Sequence, residues 1–167
     1  MSIFTDNNEG DTVDFSMDME FQKLKEDEKV ALATGLANNT HVKTLKLVKC
    51  GLRDTFAEEL GKSLKTNRAL EVITLESNTI TGSGVAALAD GLKENQTLKE
   101  LRLMGQTAAI STDGEQALAK MLEVNTTLIK IGLQIRDPTA RERIDKALRR
   151  NNDLVRQQRQ RASMVAD

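Results

Sequence analysis

Apolar residues recur along this chain in two alternating patterns. The first is a spaced Leu-x-x-Leu/Ile-x-Leu, read as Val42, Leu45, Leu47, then Leu70, Ile73, Leu75, then Leu98, Leu101, Leu103, then Leu128, Ile131, Leu133, with starts 28, 28 and 30 residues apart. Its last two positions are two apart, so both side chains fall on one face of a short strand; Ile129, Ile131, Leu133 and Ile135 show the alternation clearly. Ahead of each start runs the second pattern, apolar residues four apart and an Asn three further on: Leu32, Leu36, Asn39; Leu60, Leu64, Asn67; Leu88, Leu92, Asn95; Leu118, Leu122, Asn125. Spacing by four stacks apolar residues on one stripe of a helix. A fifth copy, Ile144, Leu148, Asn151, leads into Leu154.

Each Asn tolerates a left-handed backbone and bonds locally, which suits a helix that must stop and turn into a strand. Helix starts are marked by Asp137 before Pro138, by the capping-box spacing of Thr112 and Glu115, and by Asp54 and Ser83. Strand, helix and strand at a 28-residue period close only by a crossover, so the strands are parallel and the coil right-handed. The fold class expected is α/β. The pattern resembles the leucine-rich repeat in its longer, ribonuclease-inhibitor-like form, with about four parallel strands on the inner face and about six helices, capped at both ends. In that repeat the eighth position after the first Leu is a buried Asn or Cys that bonds loop backbone. This chain has Cys50 and Asn78 there, then Gln106 and Arg136, and its third copy is two residues longer, which predicts an irregular loop from Gly105 to Gly114.

The repeats also divide the chain. Residues 1–22 lack sustained periodicity and read as an acidic tail or fragment edge without order; residues 23–150 form the repeat domain, with 23–38 as its N-terminal capping helix; residues 151–167 form a C-terminal capping helix and polar tail. The last helices are expected at 137–150 and 152–161, the latter packing only through its first turn at Leu154 and Val155.

Composition narrows the function. Among 167 residues, 24 Lys and Arg face 25 Asp and Glu, so no global basic field grips nucleic acid. Trp and Tyr are absent, which removes platforms for stacking bases. No stretch is apolar for the roughly 20 residues of a membrane span, and the lone Cys50 fits a reducing cytoplasm. Charge is uneven locally: nine acids and three lysines in residues 1–30, but nine Arg or Lys and five acids in residues 136–167.

Candidate chemistry is sparse. His41, the one histidine, lies in a helix-to-strand turn, and Cys50 occupies a position that packing explains. Gly82-Ser83-Gly84 lacks the following Lys of a phosphate loop and reads as a turn opening a helix. No nucleophile–base pair, metal set or cofactor site emerges, so no enzyme is expected. What remains is surface. The inner face should present Lys46, Thr74, Arg102 and Gly132 beside Val48, Glu76, Met104 and Gln134. Lys43, Lys46 and Lys49 either blunt an open sheet edge or meet a partner, and the run Arg141, Arg143, Lys146, Arg149, Arg150, Arg156, Arg159, Arg161 is either a solvated face or a dock for an acidic partner.

Three strings then carry a closer resemblance: Glu76-Ser77-Asn78-Thr79-Ile80-Thr81-Gly82-Ser83-Gly84, Asn125-Thr126-Thr127-Leu128-Ile129-Lys130-Ile131-Gly132 and Asn151-Asn152-Asp153-Leu154-Val155-Arg156. In this order and spacing they resemble the C-terminal half of tropomodulins, from about Val30 to Arg159, a domain that leiomodins share. The resemblance implies a cytoplasmic, cytoskeletal protein whose repeats bind actin, either capping the slow-growing pointed end of filaments or nucleating them. It implies tropomyosin contact only through sequence absent from this chain. Residues 1–22 do not match the strand-bearing stretch that precedes this region in the family, so no strand is expected ahead of residue 23. Without the family, the fold alone also admits a GTPase-activating scaffold or an enzyme inhibitor, both disfavoured by so short an array. A monomer is expected. Partner contacts chosen from surface reasoning are Lys49 and Arg53 in the first loop, Asn78 and Thr79 in the second, and Arg143, Lys146, Arg149 and Arg150 in the last repeat helix.

Overall fold

In the computed structural model, residues 10–166 are described. Strands and helices alternate: β1 (Thr12–Asp14), α1 (Met19–Lys23), α2 (Glu26–Gly35), a 3-10 turn (Leu36–Asn38), β2 (Thr44–Lys46), α3 (Asp54–Thr66), β3 (Val72–Thr74), α4 (Gly82–Leu92), β4 (Glu100–Arg102), α5 (Thr112–Val124), β5 (Lys130–Gly132) and α6 (Pro138–Ala166). The strands form one parallel sheet in chain order, with Val13, Leu45, Ile73, Leu101 and Ile131 in register. From α2 onward each helix packs on the next one along, and the apolar repeat positions fill the space between helices and sheet; Leu45, Leu60, Ile73, Leu88, Leu101 and Leu118 are fully buried.

Five strands are present where about four were expected, because the N-terminal stretch is not all tail. Val13 and Phe15 stand two apart like Leu45 and Leu47, and β1 pairs with β2 along Thr12–Thr44, Val13–Leu45 and Asp14–Lys46. Phe15 then stacks on Phe21 with ring centroids 5.0 Å apart. This burial offsets the ordering entropy that the polar composition alone leaves uncovered. The same expectation for residues 1–9 falls outside the described residues. The N-terminal cap is also broken in two: Leu24 and Lys25 are extended between α1 and α2.

The Asn residues that close the helices are extended, not left-handed: Asn67 has φ −62° and ψ 134°, Asn125 φ −77° and ψ 123°. Their value lies in the side chain. Asn95 Oδ1 accepts from Thr97 N–H at 3.0 Å and Leu98 N–H at 2.8 Å, while Nδ2 donates to Leu64 O at 2.8 Å and Asn67 O at 3.1 Å in the preceding repeat. Asn67 and Asn125 make the same four kinds of bond. Asn151 continues the series by donating to Asn125 O and Leu128 O. It does not stop its helix, so the two C-terminal helices expected are one, α6, exposed almost throughout from Asp153 to Met164.

The helix starts differ from expectation as well. The N-caps are Arg53, Thr81 and Ser111. Asp54 instead reaches across to Thr81 N–H and Oγ–H of the next repeat, and the buried Glu115 accepts from Arg136 N–H and Asp137 N–H. Acids at helix starts thus tie repeats together. Asp137 does cap α6 through Thr139 N–H. The irregular loop ends at Ser111, since α5 takes in Gly114.

Neighbouring helices α3 and α4 touch through glycine. A Cβ on Gly91 would lie 1.9 Å from Gly61 O, and one on Gly61 would lie 2.4 Å from Ala87 O, distances only a displaced helix relieves. Two substitutions test the interlock by urea unfolding. Asn95→Ala removes partners from four backbone groups in a buried site and is expected to cost about 2–4 kcal/mol, with Asn95→Asp no milder because it loses both donors. Gly91→Ala, a stabilising change in an ordinary exposed helix, is expected to cost about 1–3 kcal/mol here.

Candidate functional site

The inner face of the sheet neutralises itself. In register along it stand Asp14, Lys46, Thr74, Arg102 and Gly132, and beside them Thr12, Thr44, Val72, Glu100 and Lys130. Lys46 pairs with Asp14 at 3.4 Å, Lys99 with Glu71 at 2.6 Å, and Glu100 with both Arg102 and Lys130, the latter at 2.9 Å. Burial pushes the Glu100 carboxyl up, but hydrogen bonds from Arg102 and Lys130 outweigh it and hold the group below its ordinary value. Exposed pairs of this kind contribute little stability. They do leave a face with no strong field of either sign.

The loop edge, where strand C-termini pass to helix N-termini, is built differently. Each strand from β1 to β4 is followed by a residue with positive φ: Met17 (58°), Lys49 (55°), Ser77 (58°) and Gly105 (72°). That tight turn leaves Lys49 exposed to solvent, and Arg53 follows it exposed at the N-cap of α3. Thr79 shares this edge, its N–H and Oγ–H both donating to Leu52 O. Asn78 does not belong to any contact surface. It is 1% exposed, its Oδ1 accepting from Cys50 N–H and Leu52 N–H and its Nδ2 donating to Leu47 O and Leu75 O. The expectation that Asn78 meets a partner is therefore corrected: the loop backbone takes every hydrogen bond it can make. Gln106 repeats the arrangement one repeat on, with Nε2 on Leu75 O and Leu103 O and Oε1 on Ile80 N–H.

The basic residues of α6 divide into two groups. Arg143 bonds Gln116 Oε1 at 2.9 Å and the Glu123 carboxylate. Arg150 donates to Leu122 O, Glu123 O and Asn125 O, covering the carbonyls at the end of α5. Both hold α6 on α5, a structural use that a charge count along the sequence does not reveal. Lys146 and Arg149 are exposed and have no ion-pair partner among the described residues. The structure thus brings Lys49, Arg53 and Thr79 onto the loop edge and leaves Lys146 and Arg149 on the last helix. Arg136, also exposed and on the loop edge, was read from sequence only as a break in the repeat.

Among the described residues, no group of three or more His, Cys, Asp or Glu is arranged to hold a metal ion, and no helix is long and apolar enough to cross a membrane. Cys50 is fully buried, donates to Phe15 O, and burial pushes its thiol up to about 11. His41 Nδ1 meets only Thr40 Oγ in an exposed turn.

Stacked parallel strand–helix units with an amide ladder define a leucine-rich-repeat solenoid, a class that works by presenting a stiff surface. The family can be given too. The family model for the TMOD/LMOD leucine-rich domain matches residues 19–154, and the chain belongs to that family. It is 35% identical over 122 residues to leiomodin-3 of Homo sapiens, covering 73% of this chain and 22% of that protein. It is 33% identical over 130 residues to tropomodulin-4 of Bos taurus, covering 78% of this chain and 38% of that protein. The chain therefore spans only a fifth to two fifths of the length of these curated relatives. A solved structure of leiomodin-1 actin-binding site 2 superposes with TM-score 0.86 at 30% identity, covering 94% of this chain and 89% of that one. The tropomodulin C-terminal domain of Caenorhabditis elegans superposes with TM-score 0.83 over 95% and 93% of the two chains; at 23% identity it bears on the fold alone.

The buried thiol supplies a test of this packing. The unfolded chain releases the Cys50 proton near pH 9 and the folded chain near 11, so the folded state binds more protons between them and stability falls as pH rises through that window. Unfolding curves from pH 8 to 11 should show this loss in the parent and a smaller one in Cys50→Ala. A disulfide reagent at pH 8 should modify Cys50 on the order of 100-fold more slowly than a free peptide thiol.

Proposed function

We propose that this chain is an actin-binding module of a tropomodulin- or leiomodin-like protein, that it docks as a monomer at the pointed end of actin filaments, and that it slows subunit exchange there by steric cover. The reading rests on one observation above others: 94% of the chain overlays leiomodin-1 actin-binding site 2 at 30% identity. A rigid array suits the task. Its repeats are interlocked, its inner face is paired, and it needs no chemistry to block an end. The module acts as a binder and not a catalyst, in the cytoplasm on the cytoskeleton. Its contacts are Lys49, Arg53 and Thr79 on the loop edge and Lys146 and Arg149 on α6. Tropomyosin contact belongs to sequence outside this chain.

The leiomodin matches favour a second reading, in which the same surface holds actin subunits together to start a filament. The two separate in one pair of assays. With barbed ends sealed, the chain is expected to slow depolymerisation of fluorescent filaments; added to monomeric actin, it shortens the lag only if it nucleates. Lys146→Glu with Arg149→Glu is expected to weaken the pointed-end effect about fivefold or more, since charge reversal at a contact costs on the order of 1 kcal/mol. Arg150 is left intact because it holds α5. Absence of any effect of the parent chain at saturating concentration rules out the capping role, and an unchanged double variant moves the contact off α6.

A further inference from the structure

Ahead of α3 and α4, the N–H just before the N-cap donates to an amide oxygen supplied by the following repeat. Leu52 N–H donates to Asn78 Oδ1 at 3.1 Å, and Ile80 N–H to Gln106 Oε1 at 3.0 Å. Ile110 holds the same place in the third repeat, directly before the N-cap Ser111. The residue at the corresponding ladder position of the fourth repeat is Arg136, whose guanidinium has donors and no acceptor. Among the described residues nothing accepts from Ile110 N–H.

Loop lengths open a space at this point. The chain runs from ladder residue to N-cap as Cys50 to Arg53 and Asn78 to Thr81 in the first two repeats, lengthens to Gln106 to Ser111 in the third, and shortens to Arg136 directly before Asp137 in the fourth. A long loop beside a short one leaves a step. It holds a cleft of about 240 Å³, lined by Leu103, Met104, Ile110, Leu133, Gln134 and Arg136 among others. The short loop is fixed from below, since the buried carboxylate of Glu115 accepts from Arg136 N–H at 2.9 Å and Asp137 N–H at 2.8 Å. The Arg136 side chain is exposed, with no ion-pair partner among the described residues.

We propose that this step is a receptor for one acidic side chain projected by a partner protein. A glutamate carboxylate takes the place an Asn or Gln amide oxygen fills in the earlier repeats, accepting from Ile110 N–H, and pairs with the Arg136 guanidinium. Its methylenes lie on Met104 and Leu133, the lining side chains that keep exposed apolar surface. The charge-assisted bond to Arg136 selects a carboxylate over the neutral amide of the ladder itself. Size selects a side chain: the cleft is smaller than the roughly 300–1,000 Å³ pockets that take cofactors and drug-sized ligands. A simple inorganic anion gains the donors but leaves the apolar floor wet.

Amide NMR of the full chain tests this without reference to actin, so its outcome is independent of the function proposed above. The probes are N-acetyl-glutamate N-methylamide, the glutamine equivalent, and sodium sulfate at matched ionic strength. The glutamate compound is expected to shift the signals of Ala108 to Ile110 and Gln134 to Arg136 saturably, at about fivefold or more lower concentration than the glutamine compound. Arg136→Gln should abolish that preference with the remaining spectrum unchanged. Deleting Ala108 and Ala109, which restores the loop length of the first two repeats, should abolish the response even with Arg136 present. The proposal is overturned by equal responses to both blocked residues, by the same shifts with sulfate, by shifts elsewhere only, or by a response that survives Arg136→Gln.

Discussion

One amide side chain per repeat holds this molecule together. Asn67, Asn95 and Asn125 each bond the backbone of their own turn with Oδ1 and the backbone of the preceding turn with Nδ2. Helix ends and strand starts carry unpaired carbonyl and N–H groups, and burying them without partners is costly. Asn satisfies both kinds at once, in fixed geometry, which a hydrophobic residue cannot do. The apolar stripes provide the drive to stack; the amides set the spacing and forbid slippage between turns.

The ladder also explains which surfaces are available for binding. On the loop edge a second series, Asn78 and Gln106, ties each turn to the one before. On the inner face, acid and base alternate across strands and pair with each other. Exposed charges that neither series consumes include Lys49 and Arg53 early in the array, Arg136 late in it, and Lys146 and Arg149 on α6. Rigidity and exposure are thus supplied by different residues, which lets a few surface charges vary without loosening the array.

Most of the fold was legible in the amino acids because repetition multiplies a weak signal. One Leu-x-x-Leu-x-Leu is ambiguous; four at near-constant spacing, each preceded by a four-spaced stripe and an Asn, leave one architecture. The first strand escaped because its copy is degenerate. Val13 and Phe15 match Leu45 and Leu47, but Asp18 stands where the ladder residue falls and only two short helices follow. Its order comes from the pairing with β2 and the stack of Phe15 on Phe21, contacts between residues too dissimilar to the consensus to be matched by pattern. The candidate surface was legible only in part. Asn78 is polar and in a loop, so composition places it outside, whereas its backbone bonds place it inside. Arg143 and Arg150 look like Lys146 and Arg149 in sequence, and only the position of α5 shows that the first pair is already engaged.

By itself, then, the chain's order of residues determined the period, the parallel sheet and the helices behind it, since all of these follow from local spacing and residue type. Tertiary structure alone decided how many strands the sheet holds, where α6 runs on past Asn151, which polar groups are spent on backbone and which face solvent, and where a long loop beside a short one opens a cleft. Those outcomes depend on contacts between turns some 28 residues apart in the chain, and a side chain's freedom to bind is settled by what its neighbours in space have left unpaired.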